Sequence, residues 1–294
     1  MNGVRHSRIA RRAVRGRRQT GSVNTIRPDR RDVSARLTLS IGATADIVMA
    51  IAVADVAETA DESLVVLLDD EPIETKVIRA SHGARLHQLR DLAPGWLTVE
   101  YHASVLGAAD PVPVGEEEWY EYIRPSRYCE SDTLGPLARG EFAGLSGFEL
   151  LDGVSSWVGE QIAYIPGSSR AIDGAVSTML ARSGVCRDFA HLTVALLRAN
   201  GVPARVVAVY APGLNPMDFH AVVEAVVDGV WYVVDPTCLA PRSSMLRIAT
   251  GADAADTAFL TTVAGAVELV YMEVTAIADP FLPSDDMFER VQLG

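Results

Sequence analysis

The sequence predicts an α+β protein, an N-terminal β-sandwich followed by a domain with helices on one side of an antiparallel sheet. Three observations predict it. Six short apolar runs lie between Val33 and Gly107, separated by turn-like clusters. Between Leu134 and Asn200 the apolar residues change to helical spacing. Beyond Pro203 two β-type stretches return, the second split by Asp228-Gly229, a strong short-range hairpin signal.

Taken in order, residues 1–32 lack apolar periodicity and read as a disordered basic tail. The candidate strands are 36–41, 46–53, 63–68, 73–78, 84–89 and 95–106. The last alternates through Leu97, Val99, Tyr101 and Ala103, as a half-buried strand does. His82, His87 and His102 fall among them without ligand-like spacing and read as solvated strand residues. Pro111 and Pro113 oppose both helix and central strand, so the boundary falls near Gly115, dividing the chain into 33–115 and 116–294.

Helices are expected over 134–142, 148–162 and 176–181. In the second, Leu151, Val154, Trp157, Val158 and Ile162 form one apolar stripe, which makes Trp157 a core residue rather than a hydrogen-bond donor in a cleft. Residues 164–169 (YIPGSS) read as a loop. A further helix begins at Cys186, with Phe189, Leu192, Leu196 and Leu197 inward and Asn200-Gly201 as its stop. His191 lies off the face of Cys186 and reads as structural, and Asp188 suits the first turn. Strands follow at 204–210 and on both sides of Asp228-Gly229, with the loop 211–218 placed to line a cleft. Residues 247–259 read as a loop and short helix, and 267–277 as a final strand of either sheet.

The chemistry gathers at Cys186. A lone cysteine is usually a small buried hydrophobe. At a helix start, however, unpaired backbone N–H groups and the positive end of the helix dipole favour the thiolate, which is the nucleophile. If Asp228-Gly229 is a two-residue loop, opposed residue numbers sum to 457, so Val222 faces Asp235. His220 is then the diagonal neighbour of Asp235, at about 7–8 Å along the backbone, within reach of a carboxylate. The other face carries Ala221, Val223, Ala225, Val227, Val230, Tyr232 and Val234 and is expected to be the core face. Glu224 shares the face of His220 and reads as solvated or packed. Cys186, His220 and Asp235 thus form a nucleophile, base and orienter.

The run GVCRDFAHLTVALLRANGVPARVVAVYAPGL…DFHAVVEAVVDGVWYVVDPT resembles the core of the transglutaminase-like cysteine peptidase superfamily, in its bacterial branch with an added N-terminal β-domain. RPSRYCESD, WVGEQIAYIPGSS and RIATGADAADTAF also resemble that branch. The resemblance implies a papain-like core whose Cys-bearing helix packs on an antiparallel sheet. It puts the catalytic residues on Cys186, His220 and Asp235.

Net charge is −12, unevenly spread: residues 1–36 hold eleven Arg and two Asp, a local +9, which leaves −21 on the rest. An acidic body opposes nucleic acid as the working partner. The longest apolar run, Ile47 to Ala54, is too short to span a bilayer, so no membrane partner is expected. Three cysteines give no disulfide framework, and Cys238 lacks a C-x-x-C partner, so neither metal nor other cofactor is expected. A cytoplasmic, reduced location follows. The expected activity is hydrolysis of a peptide or carboxamide bond in a peptide or protein substrate through a thioester. Its rivals are an amine-acceptor transglutaminase and a binding module that kept the fold without the chemistry.

Overall fold

The computed structural model describes residues 27–111, 113–286 and 289–293. Of the tail expected over 1–32, residues 1–26 lie outside the described residues, and Arg30 already opens the first strand.

The N-terminal region is built on β1 (Arg30–Met49), in which every second residue is buried from Val33 to Ile41 and again from Ala45 to Met49, with residues 42–44 exposed between. The sequence suggests two strands here; the structure shows one. Gly42 to Ala45 is a bulged stretch rather than a turn, and the ladder slips register across it. Then come β2 (Glu58–Leu68), β3 (Glu71–Pro72), β4 (Lys76–Arg79), β5 (Arg85–Leu92) and β6 (Gly95–Leu106). Along one edge β1 pairs with β6 through Ile41 and with β5 from Ala45; the other edge pairs with β13, described below. The expected sandwich is therefore one antiparallel sheet of seven strands around a single core.

The second region begins with α1 (Glu116–Glu121), α2 (Ser131–Glu141) and α3 (Gly147–Gln161), followed by β7 (Ala163–Tyr164), α4 (Ala175–Ala181), β8 (Ser183–Gly184) and α5 (Cys186–Ala199). A four-stranded antiparallel sheet follows: β9 (Ala204–Tyr210), β10 (Phe219–Val227), β11 (Val230–Val234) and β12 (Leu246–Gly251), in the order β11-β10-β9-β12. Then come α6 (Ala254–Thr257) and β13 (Leu260–Asp279). Residues 246–251 are thus a strand and not a loop. Their polar Arg247 and Thr250 mask the pattern because both are absorbed by internal hydrogen bonds, Arg247 to Glu224 and to Thr250.

α5 is buried on every side from Asp188 to Arg198, which makes it the central element of this half. Ala221, Val223, Ala225, Val227 and Val234 pack with α2, α3 and α5, as the register predicts. The opposite face is also covered: Val222, Glu224, Val226 and Trp231 are buried. Tyr210, Leu246, Ile248 and Ala249 join the core of the N-terminal sheet, and Tyr210 Oη donates to Ile51 O at 2.7 Å.

The division at Gly115 does not hold at the far end of the chain. β13 pairs with β1 from Arg30↔Asp279 to Met49↔Leu260, so a strand from 116–294 completes the first sheet. Gly265 permits this at the bulge, since a Cβ there would come within 2.3 Å of Thr44 O. Among the described residues no helix is long and apolar enough to cross a membrane.

Candidate functional site

Cys186 is the first residue of α5, and local contacts fix that start. The Asp188 carboxylate accepts from the Val185 N–H at 2.8 Å, which turns the chain into the helix. Gly184 is required beside it, because a Cβ would lie 2.6 Å from Asp188 Cβ. Ser169 Oγ donates to the other Asp188 oxygen at 2.9 Å, and Arg187 donates to Ser169 Oγ at 2.6 Å and to Arg170 O at 2.7 Å. The YIPGSS loop is thereby tied to the first turn of the cysteine helix. β7 adds a short parallel ladder, Tyr164 opposite Gly184.

The hairpin has the predicted register, Val227↔Val230 through Val223↔Val234. It brings His220 and Asp235 together: His220 Nε2 lies 2.8 Å from Asp235 Oδ2, with both side chains fully enclosed. The second Asp235 oxygen accepts from the Thr237 N–H at 3.0 Å and the Thr237 hydroxyl at 2.7 Å. Burial alone would discharge the imidazolium, but the Asp235 carboxylate and then Cys186 outweigh it and raise the His220 pKa to about 10. Burial likewise works against the Asp235 charge, and His220 and Thr237 overcome it and hold that pKa below the usual carboxylate value. Cys186 lies close enough to act on the imidazole through a weak hydrogen bond as well as through charge, although no bond of normal length forms at Nδ1, which is buried. The open nitrogen is the one not turned to Asp235.

Other sequence readings resolve as follows. Trp157 packs edge-on against Phe142 at 6.0 Å, with Arg182 over its ring at 5.8 Å, in the core position expected. His191 is structural as expected: it stacks on Tyr128 at 5.3 Å and accepts from the Ala254 N–H at 3.1 Å. His82 and His87 are not solvated strand residues. His87 is buried beside Thr75, and His82 sits in a short turn against Tyr122 and Glu118. Glu224, read as solvated or packed, is packed: it is buried and ion-paired with Arg205 and Arg247. Cys238 is exposed, its Sγ 3.6 Å from Asp235 O. Thr237 and Tyr164 escaped the sequence reading, although D-x-T after a strand is a recognisable Asx-type turn. Among the described residues no group of three or more His, Cys, Asp or Glu is arranged to hold a metal ion.

Residues 144–236, which contain all three site residues, match the transglutaminase-like superfamily. The crystal structure of a proposed cysteine protease from Cytophaga hutchinsonii is 30% identical and superimposes with a TM-score of 0.81 over 89% of this chain and 95% of that one. An uncharacterised protein of Mycobacterium leprae is 31% identical over 138 residues, 42% of this chain. Another, from Mycobacterium tuberculosis, is 42% identical over 62 residues, 21% of this chain. The matched stretches span 48% and 20% of those two relatives. With the motif region and the near end-to-end structural match in agreement, the chain belongs to the transglutaminase-like superfamily.

Proposed function

We propose that this protein is a thiol-dependent acyl-transfer enzyme that hydrolyses a peptide or carboxamide bond in a peptide or protein substrate. One observation carries the reading. A buried imidazole is charged by a carboxylate on Nε2 and keeps Nδ1 open, beside a cysteine at a helix start. The Cys186 sulfur attacks the carbonyl carbon, and the C=O electron pair moves onto oxygen, where the Cys186 backbone N–H stabilises it. His220 gives its Nδ1 proton to the leaving amine as the C–N bond breaks, leaving a thioester. The imidazole then takes a proton from water, which attacks the thioester and expels the thiolate. Asp235 holds the tautomer and stabilises the imidazolium throughout. Likeness to the Cytophaga hutchinsonii protein supports water as the acceptor.

The test has two stages. Cys186 should react with iodoacetamide at pH 7 faster than Cys238, whose thiol pKa is raised by partial desolvation of the sulfur and then by the Asp235 carboxylate. A glutamine-containing peptide library should then leave a thioester on Cys186 visible by mass spectrometry, with free acid released afterwards. A labelled primary amine incorporated faster than acid forms would make the enzyme an amine transferase. A sluggish Cys186 and no adduct would favour the binding module.

A further inference from the structure

An oxyanion needs more than one donor, and Cys186 N–H is only the first. A second must come from another element, stand beside the first turn of α5, be held rigidly and keep its proton. Trp157 fails on position, since its ring is packed between Phe142 and Arg182. Asp218, two residues before His220, is a carboxyl that accepts from the Phe219 N–H at 2.7 Å.

We infer that the Tyr164 hydroxyl is the second oxyanion donor, which makes Tyr164 a catalytic residue of the reaction proposed above. Its backbone is fixed by the β7–β8 ladder: Tyr164 is the partner of Gly184, two residues before Cys186. On either side Ala163 N–H donates to Arg182 O at 2.9 Å and Ile165 N–H to Gly184 O at 3.0 Å. The ring lies 5.8 Å from that of Phe189, one turn along α5 from Cys186, so the phenol lies along the turn that presents the Cys186 N–H. The loop leaving Tyr164 is anchored to the same turn through Ser169 and Asp188. The residue is 40% exposed, so it borders solvent beside that turn. Burial, and after it the charge of Cys186, push the phenol pKa up to about 12, while the Cys186 N–H, donating toward the phenol oxygen until a substrate oxygen replaces it, acts in the opposite sense. The group therefore stays protonated and donates without being consumed. It gives a hydrogen bond as the C=O electron pair moves to oxygen and withdraws it as the carbonyl re-forms.

Because this role rests on Cys186 as the nucleophile, the experiment uses two reagents. Iodoacetamide alkylates sulfur by displacement and forms no oxyanion, whereas p-nitrophenyl acetate acetylates sulfur through one. Rates of Cys186 modification by both are followed by intact mass in the full chain, wild type and Tyr164→Phe, with thermal melting to verify folding. Tyr164→Phe should slow acetylation by roughly 100-fold, the loss expected for one such donor, and leave alkylation within twofold. Equal acetylation in both proteins would overturn the assignment while leaving the triad reading intact. A parallel fall in both reactions would also overturn it, making Tyr164 a support for the thiol. A wild type that neither acetylates nor alkylates would overturn the triad reading and this assignment together.

Discussion

Two buried charged clusters share the strand β10, and they have been built for opposite ends. At its start His220 meets Asp235; four residues on, Glu224 meets Arg205 and Arg247. In the second cluster Arg205 lies over the Trp231 ring at 3.9 Å and reaches Glu118 at 2.6 Å, and His82 of the N-terminal region contacts Glu118 at 3.3 Å. Both clusters are enclosed, yet their histidines titrate oppositely. His220, beside one carboxylate, is raised to about 10; His82, desolvated and facing Arg205, is lowered to about 4. Burial has the same sign for both, so the neighbouring charge decides. The hub spends its charges on one another and joins the two regions, whereas the His220–Asp235 pair leaves one imidazole nitrogen without a bond of normal length.

The widest separation between the clusters should appear in rate. Cys186→Ala should give no thioester, and His220→Ala should slow acylation by roughly 10,000-fold with the fold intact, measured by adduct formation and circular dichroism. A hub variant that did the same would erase the distinction.

In stability the order should reverse. Arg205→Ala leaves Glu118 with only His82 and the Gly115 N–H and Glu224 with one cation, and breaking such a buried pair costs about 3–5 kcal/mol. Urea unfolding should show this loss while Cys186 alkylation in the folded protein stays near the wild-type rate. A loss below about 1 kcal/mol would mean that the hub contributes little to stability.

The remaining effects lie in pH dependence, and they run in opposite directions. His220 binds its proton more tightly folded than unfolded, so its stabilisation is complete below about pH 6.5 and is lost as pH rises towards 10. His82 binds its proton less tightly folded, so its contribution is present above about pH 6.5 and is lost as pH falls towards 4. His220→Gln should flatten the alkaline limb of the stability curve and His82→Gln the acid limb. Either variant flattening the wrong limb would refute the assignment of charges.

The sequence made the His220–Asp235 pair legible because its register is local. Asp228-Gly229 sets the pairing of β10 and β11, and helix spacing with Asn200-Gly201 bounds α5, as the structure shows. What stayed hidden depends on distant partners. β1 reads as two strands until β13 is seen running along both halves, and β13 cannot be allotted to a sheet without β1. Arg247 conceals β12 because its charge is answered by Glu224, on a strand that does not adjoin β12. His82 looks solvated until Glu118 and Arg205 are brought to it. Tyr164 sits in a stretch whose role depends on a two-residue ladder with β8.

The pairing of β1 with β13 also bears on the order in which the molecule forms. A ribosome delivers β1 early and β13 late, with partners such as Arg30 and Asp279 about 250 residues apart. Until the second strand emerges, the edge of β1 that it will occupy carries unpaired N–H and C=O groups. The N-terminal sheet, first to be synthesised, is therefore last to be completed, and the transglutaminase-like core must leave the ribosome before its own N-terminal appendage can close. Such long-range closure slows folding, because the chain entropy is lost before the contacts are gained.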